Sequence, residues 1–314
     1  MKNPKISIAV IIPCFNEAQT IDSVVKKFRK FLPESKIYVY DNNSTDGTAR
    51  IAKKSGAIVR LVKKQGKGSV VRRMFSDIEA DIYVMVDGDD TYEIEKASNM
   101  VDYLIENQLD MLIGSRIHND KKAYRFGHQF GNNLITKTIN FIFDNNFKDI
   151  LSGYRVFTRR FVKTFPALSN GFEIETELNI YALELNIQTE EIQTKYFSRP
   201  EGSVSKLSSF KDGFKILLMI IRLFKEKKPF IFFSIGSFIS TFISLLLFIP
   251  VLNEFMITGT VPRFPTAFLS VSLIIISLIF IVCGIILEEI SKNRKNNNYL
   301  KFLSHPRNEI NLQK

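Results

Sequence analysis

The chain has 314 residues, no tryptophan and only two cysteines, Cys14 and Cys283. One cysteine sits in a strand-like apolar run and the other in a long apolar stretch. They supply neither a disulfide framework nor zinc-ligand spacing, and they fit a reducing compartment. Acidic side chains are also few relative to basic ones, 32 Asp and Glu against 43 Lys and Arg, a formal charge of +11. That deficit points to anionic partners: nucleic acid, an anionic membrane surface or phosphorylated substrates. Two common nucleotide-binding signatures are missing. No G-x-G-x-x-G follows the first apolar run, which excludes a dinucleotide-binding unit, and Lys67 precedes Gly68 rather than Ser or Thr, which excludes a P-loop. A secretory signal is not expected, because Ile6–Ile12 is too short and is stopped by Pro13. Phenylalanine, at 28 residues, supplies most of the aromatic side chains.

The chain is organised around Tyr83-Val84-Met85-Val86-Asp87-Gly88-Asp89-Asp90-Thr91, a short apolar run ending in three carboxylates and a glycine. The run reads as a buried strand. Residues two apart in an extended chain point the same way, so Asp87 and Asp89 present their oxygens together. Two carboxylates at close range repel by about 4 kcal/mol at an effective dielectric near 20, and a cation between them removes that cost. Hard oxygen ligands of this kind suit Mg²⁺ or Mn²⁺ shared with a substrate phosphate. Asp90 with Glu93 also fits a helix start ahead of Ile94–Asn107.

Around this stretch, strands and helices alternate. Strand patterns at Lys5–Ile12, Ile37–Tyr40, Ala57–Val62 and Leu109–Gly114 are separated by three helical patterns. The first starts near Asn16 and Gln19 and ends at Leu32, the second ends at Ser55 with Gly56 behind it, and the third opens at Gly66-Lys67-Gly68 and runs to Ala80. Polar turn chemistry gathers at the strand ends, as in a parallel doubly wound sheet. Further on, Asn132–Phe143 reads as a helix, Asp149–Phe157 as a strand, Ile174–Leu185 as a helix and Ile187–Tyr196 as a strand. Glu173, Glu177 and Glu184 read as a solvated helix edge.

From Leu207 the pattern changes. Leu207, Phe210, Phe214, Leu217, Leu218 and Ile221 form an apolar face among Lys206, Lys211, Lys215, Arg222 and Lys225, as in a helix lying in a membrane interface. Phe230–Leu252 and Thr266–Leu287 contain no charged residue, and each is long enough to cross a hydrocarbon core of about 30 Å. Basic residues flank the pair on both outer sides (Arg222, Lys225, Lys227 and Lys228; Lys292, Arg294, Lys295 and Lys301), whereas the loop between carries only Glu254 and Arg263. The positive-inside rule then places both flanks, and the N-terminal domain with them, in the cytoplasm. Because the basic residues concentrate beside the spans, nucleic acid is not the expected partner. The expected divisions are a catalytic domain over 1–205, a juxtamembrane helix over 206–228, two spans within 229–288 (about 230–252 and 266–287) and a basic tail over 289–314.

Several motifs in order resemble glycosyltransferase family 2: Ile11-Ile12-Pro13-Cys14-Phe15-Asn16-Glu17, Asp41 to Thr48, Gly66-Lys67-Gly68 and Asp87-Gly88-Asp89. Asp149-Ile150-Leu151-Ser152-Gly153-Tyr154-Arg155 and Arg199 to Lys206 look like the polyprenyl-phosphate branch of that family, which loads sugars onto dolichyl or undecaprenyl phosphate. The resemblance implies a GT-A fold and an inverting hexosyl transfer from a nucleotide sugar to a polyprenyl phosphate. A UDP-sugar is favoured ahead of GDP-mannose, the hexose being of glucose, N-acetylglucosamine or mannose type. It implies that Pro13, Asn16, Glu17, Asp41 and Lys67, with Asp87, Gly88 and Asp89, bind the nucleotide sugar, and that Asp87 and Asp89 hold Mg²⁺ or Mn²⁺. Arg116 joins them as a catalytic candidate, and Arg116, His128, Arg199 and Lys206 would hold donor or acceptor phosphates. The sequence departs from the family where Asn42 replaces a second Asp, Thr91 a Gln, and His128 an Arg. A homo-oligomer is compatible with all of this. The alternative reading is transfer to a sugar hydroxyl of a lipid-linked oligosaccharide or polysaccharide, which needs a base such as Glu173 or Glu175. A non-catalytic membrane subunit would have no use for the acidic triplet.

Overall fold

The structure is a computed structural model, and it describes residues 6–118, 136, 137, 139, 140, 147–171, 173–199, 221, 222 and 224–306. His128, Lys206, most of the Asn132–Phe143 helix and the expected interfacial helix before Ile221 lie outside the described residues.

The chain divides into two compact units, one comprising 1–213 with 298–314 and the other Phe214–Asn297. The first is built on seven strands: β1 (Ile8–Cys14), β2 (Lys36–Asp41), β3 (Ile58–Leu61), β4 (Ile82–Met85), β5 (Met111–His118), β6 (Arg155–Thr158) and β7 (Thr189–Tyr196). They lie in the order β3-β2-β1-β4-β6-β5-β7. Every neighbouring pair is parallel except the two made by β6. Because β1, β2 and β4 are parallel neighbours, their C-terminal ends meet at one edge, and the motifs that follow them are brought together by topology alone.

The helices cover both faces. On one, α1 (Ile21–Phe31) and α4 (Ala97–Glu106) bring Val24, Phe28, Met100 and Leu104 onto Val10, Ile12, Val84 and Val156. On the other, α3 (Lys67–Asp77), α5 (Arg159–Thr164) and α6 (Ile174–Glu184) share an aromatic cluster of Phe75, Tyr83, Phe157, Phe161, Phe165 and Tyr181. Its ring centroids lie 5.1 to 6.4 Å apart, within the range for stacked and edge contacts. A core that uses phenylalanine as its large side chain needs no tryptophan. A short helix, α2 (Thr48–Lys54), fills the β2–β3 crossover, and Gly56 follows it at a φ of 94°.

Three local readings are corrected. Asp90 does not cap the following helix: its carboxylate accepts from the Ser23 hydroxyl and pairs with Lys27, each at 2.7 Å, so it is tied to α1 instead. A 3-10 turn at Ile94–Lys96 precedes α4. The first helix starts at Ile21 rather than near Asn16, whose φ of 53° is not helical. Of the expected Asp149–Phe157 strand only 155–157 is extended, within the strand Arg155–Thr158.

The second unit holds α7 (Pro229–Thr258) and most of α8 (Phe264–Leu303), both longer than the uncharged runs within them. At 1.5 Å per residue, the 30 residues of α7 extend for about 45 Å. They run antiparallel. Ser237 meets Ser277 at 2.7 Å, the Ser244 hydroxyl donates to the Ser270 carbonyl at 2.7 Å, and Thr241 also reaches Ser277. Hydroxyls paired across a helix interface are a feature of membrane helices, where no water competes for them. The outward side chains are apolar and uncovered, with Phe238 72% and Leu278 62% exposed. Helices of a soluble core would bury them. Both helices are long and apolar enough to cross a membrane.

Candidate active site

The loops after β1 and β2 are stitched to each other. The Asn16 amide donates to the Ser44 hydroxyl at 2.8 Å, and the Asn16 side-chain oxygen accepts from the Thr45 amide at 2.8 Å. The Glu17 amide donates to Thr48 Oγ1 at 2.9 Å, and the Ala18 amide to Asp46 at 2.9 Å. Asp41 is buried at the end of β2. One of its carboxylate oxygens accepts from the Ser44 amide at 3.1 Å, and the other, Oδ1, is buried with no partner among the described residues. Asn42, where an aspartate was the family expectation, is a structural clasp. Its amide donates to the carbonyls of Val62 and Lys64, and its oxygen accepts from the Gly66 amide at 2.7 Å.

That clasp delivers the Gly66-Lys67-Gly68 turn to the segment before α6. The Gly68 amide donates to the Asn170 and Gly171 carbonyls, both at 3.1 Å, and a Cβ on Gly68 would stand 2.3 Å from the Ser169 oxygen. Only glycine allows this approach. Lys67 is thereby buried rather than solvated. Its ammonium pairs with Asp87 Oδ1 at 2.5 Å and also with Glu175 Oε1. Burial would push the Lys67 pKa down, but the Asp87 and Glu175 carboxylates outweigh it and hold the group well above its usual value. Glu175 is raised, first by its own burial, although Lys67 opposes the shift. Its second oxygen, Oε2, is buried and has no partner among the described residues.

Asp89 has a different set of partners. Arg199 Nη2 lies 2.6 Å from its Oδ2, and the Thr91 hydroxyl donates to its Oδ1 at 2.7 Å. Burial and the nearby Asp87 charge raise the Asp89 pKa, and Arg199 acts against them. Arg199 Nη1 is buried without a partner among the described residues. Gly88 joins the two acids and accepts the Thr20 hydroxyl on its carbonyl at 2.6 Å. The D-x-D charges are therefore balanced within the chain by Lys67 and Arg199.

Arg116 leaves β5 and forms a two-pronged pair with Asp149, at 2.6 and 2.8 Å, while its guanidinium lies 5.3 Å from the centre of the Tyr196 ring. Burial pushes Asp149 up, but the hydrogen bonds and charge of Arg116 hold it below the ordinary carboxylate value. The segment that carries Asp149 is fixed by Arg155. This fully buried guanidinium donates to the Ile150, Ser152 and Glu175 carbonyls and to Asn179. The same segment brings Gly153 against Asp87, where a Cβ would stand 2.4 Å from Oδ2. Its amide donates to the Tyr92 hydroxyl at 2.8 Å.

Pro13, Asn16, Glu17, Asp41, Lys67, Asp87, Gly88, Asp89 and Arg199 thus gather at the ends of β1, β2 and β4. Arg116 is linked to the group through Asp149 and Tyr196. The partners Glu175 and Asp149 were not foreseen as ion pairs. For Glu175 a signal existed: with Asn179 it makes an i, i+4 polar pair beside the Ile174–Leu178–Tyr181 stripe, on a helix buried nearly all round. Glu177, expected at a solvated edge, instead accepts the Leu168 and Ser169 amides at 2.8 Å each.

The donor set fits a hard divalent cation. Asp87 and Asp89 are two carboxylates on one strand end, and the absent Cβ of Gly153 leaves Asp87 Oδ2 room. Among the described residues no group of three or more His, Cys, Asp or Glu could hold a metal, so a cation there would complete its shell with phosphate oxygens and water.

A mostly parallel sheet with such a site at its strand ends defines a glycosyltransferase domain of GT-A type. Residues 9–165 match the family model described as glycosyl transferase family 2. Glycosyltransferase AglJ of Haloferax volcanii is 36% identical over 253 residues, which cover 80% of this chain and 83% of that protein. The dolichyl-phosphate hexose transferase of the same organism is 26% identical over 221 residues, covering 70% of this chain and 95% of its own. Among solved structures, glucosyl-3-phosphoglycerate synthase from Mycobacterium tuberculosis, in complex with Mn²⁺ and UDP-glucose, aligns with a TM-score of 0.55 at 18% identity over 70% of this chain and 78% of that one. The chain belongs to glycosyl transferase family 2.

Proposed function

We propose that the protein is a membrane-bound, inverting hexosyltransferase that moves a sugar from a nucleotide sugar to a polyprenyl phosphate. The observation that carries this reading is a D-x-D pair set against the cations of Lys67 and Arg199, in a chain that also has two membrane-length helices. The name of the dolichyl-phosphate hexose transferase relative supports the lipid acceptor. The Mn²⁺ and UDP-glucose of the structural neighbour support the donor and the metal.

In this reading the unpartnered Asp41 Oδ1 accepts from the base or ribose, beside Pro13, Asn16 and Glu17. Asp87 and Asp89 would hold Mg²⁺ or Mn²⁺, which when bound supplies Lewis-acid stabilisation of the leaving diphosphate. Arg199, with one guanidinium nitrogen unpartnered, donates to a phosphate oxygen and stabilises the charge that develops there. Arg116 serves the acceptor phosphate from its place on Asp149, and His128 and Lys206 are the further candidates for that phosphate. A phosphate acceptor is already an anion at neutral pH, so its oxygen attacks the anomeric carbon with no side chain required to take a proton. Two membrane-crossing helices would keep the catalytic domain on the bilayer that holds the prenyl chain, and the basic flanks support a cytoplasmic orientation for it.

One observation favours a sugar-hydroxyl acceptor: Glu175 is a buried carboxylate with a raised pKa, as a general base would be. The deciding experiment incubates purified protein with UDP-glucose, UDP-N-acetylglucosamine and GDP-mannose, each with undecaprenyl or dolichyl phosphate, and weighs the lipid product. A polyprenyl-phosphate hexose is expected. Hydrolysis alone, or transfer only to glycan hydroxyls, overturns the reading.

A further inference from the structure

Glu175 carries an acceptor atom that the fold leaves unanswered. The residue is 4% exposed, its Oε1 is taken by Lys67, and its Oε2 is buried with no hydrogen-bond partner among the described residues. A buried polar atom without a partner is costly, and native structures keep few of them. The position is also specific. One lysine ammonium binds both Glu175 and Asp87, so the orphan oxygen lies a single lysine head away from the D-x-D pair. Within this triad Asp87 is the side facing solvent: its side chain is 27% exposed, against 8% for Lys67 and 5% for Glu175.

The chemistry of the missing partner follows from the site. A carboxylate oxygen whose twin already accepts from an ammonium needs a hydrogen-bond donor. Phosphate has none to offer and is repelled. In a nucleotide sugar two hydroxyl-bearing groups flank the diphosphate, the ribose and the hexose; in the reading above the nucleoside is taken by Pro13, Asn16, Glu17 and Asp41, which leaves the hexose for Glu175. Resting on the reading proposed above, we propose that Glu175 is a specificity-determining residue for the donor sugar: its Oε2 accepts a hydrogen bond from one hydroxyl of the transferred hexose, while Lys67 holds the carboxylate in place. A site built to hydrogen-bond a hydroxyl rejects the analogue that lacks it far more strongly than an apolar pocket does.

The test is calorimetric titration, with Mn²⁺ present, of the full-length protein and of Glu175→Gln and Glu175→Ala. The ligands are UDP-glucose, UDP-N-acetylglucosamine, GDP-mannose, UDP and GDP, and monodeoxy analogues of whichever sugar donor binds best. The Ala variant is expected to lose about tenfold or more in affinity for that donor, as for a lost hydrogen bond to a charged group, and less than about threefold for the matching nucleoside diphosphate. For the unaltered protein, removing one particular hydroxyl costs a similar factor, and that cost shrinks in the Gln variant. The deoxy series needs no mutant, so it can refute the proposal even where a variant fails to fold: if no single hydroxyl of the hexose costs affinity, the proposal falls. Equal losses for nucleoside diphosphate and nucleotide sugar would mean that Glu175 acts only through Lys67 and Asp87, and would overturn the proposal. So would unchanged donor affinity with a kcat drop of about a thousandfold, the mark of a general base. If the unaltered protein binds none of the nucleotide sugars, the donor reading itself fails, and this proposal with it.

Discussion

Lys67 holds two carboxylates on one ammonium, and its removal leaves Asp87 and Glu175 facing each other at short range. Breaking a buried pair from one side costs about 3–5 kcal/mol, because the remaining charge is stranded. Lys67→Met is expected to lower the unfolding free energy by that order in denaturant titration, whereas a loss under about 1 kcal/mol would show that the lysine is solvated after all. Asp89 behaves differently, because Arg199 is the more exposed member of their pair at 29%. Asp89→Ala is expected to leave a cooperative unfolding transition and abolish transfer, and excess chelator to abolish transfer by the unaltered protein. Full activity in chelator would refute the metal role of the D-x-D pair. Asp149 sets an acid limit. Its pKa is depressed below the ordinary 3.8 by Arg116, so the stability it contributes is present above that value. That contribution is lost as pH falls through the lower folded-state value. Asp149→Asn is therefore expected to unfold with a shallower dependence on pH below 3.8, and a slope equal to that of the unaltered protein would show the pair to be energetically silent.

At the scale of elements, the Gly66-Lys67-Gly68 turn and the 169–171 segment are packed backbone to backbone. Gly68→Ala places a Cβ 2.3 Å from the Ser169 oxygen, so one of the two must move. A cost of about 1–3 kcal/mol, typical of overpacking, is expected, together with loss of the Lys67–Glu175 contact that depends on this docking. An Ala variant as stable and active as the parent would contradict it. The parallel strands were readable because each is a short apolar run ended by polar turn chemistry, and the D-x-D pair was readable because two carboxylates on one strand end are local in sequence. The ion pairs were not. Arg199 meets Asp89 across 110 positions and Arg116 meets Asp149 across 33, and charge periodicity carries no information about partners at such separations. The expected Asp149–Phe157 strand fails over its first part, Asp149 to Tyr154. In the fold the buried Arg155 guanidinium takes the Ile150 and Ser152 carbonyls, so side-chain hydrogen bonds hold that backbone. Asp90 shows the same limit: capping chemistry was present in the sequence, but Ser23 and Lys27 of α1 claimed the carboxylate.

For the whole molecule the question is which side of the membrane the site faces. Nucleotide sugars are highly charged, and a domain that uses them must stand where they are supplied. The basic residues lie outside the two spans, at Lys225, Lys227 and Lys228 before α7 and at Lys292, Arg294 and Lys295 in the later turns of α8. Around the α7–α8 connection stand one acid, Glu254 near the end of α7, and one base, Arg263, which neutralise each other at 2.8 Å. The cationic bias that sets orientation thus belongs entirely to the outer flanks, and it predicts a hairpin with its connection outside and both flanks in the cytoplasm. The two native cysteines are free thiols, Cys14 buried and Cys283 part-buried in α8, so both are replaced before labelling. In that background a single cysteine in place of Thr258, at the end of α7, is expected to react with a membrane-impermeant maleimide added to intact cells. A cysteine in place of Asn297 should react only after the cells are opened. Labelling of Asn297→Cys from outside, with Thr258→Cys protected, would put the D-x-D pair on the face away from cytoplasmic nucleotide sugars and remove the basis for a cytoplasmic donor.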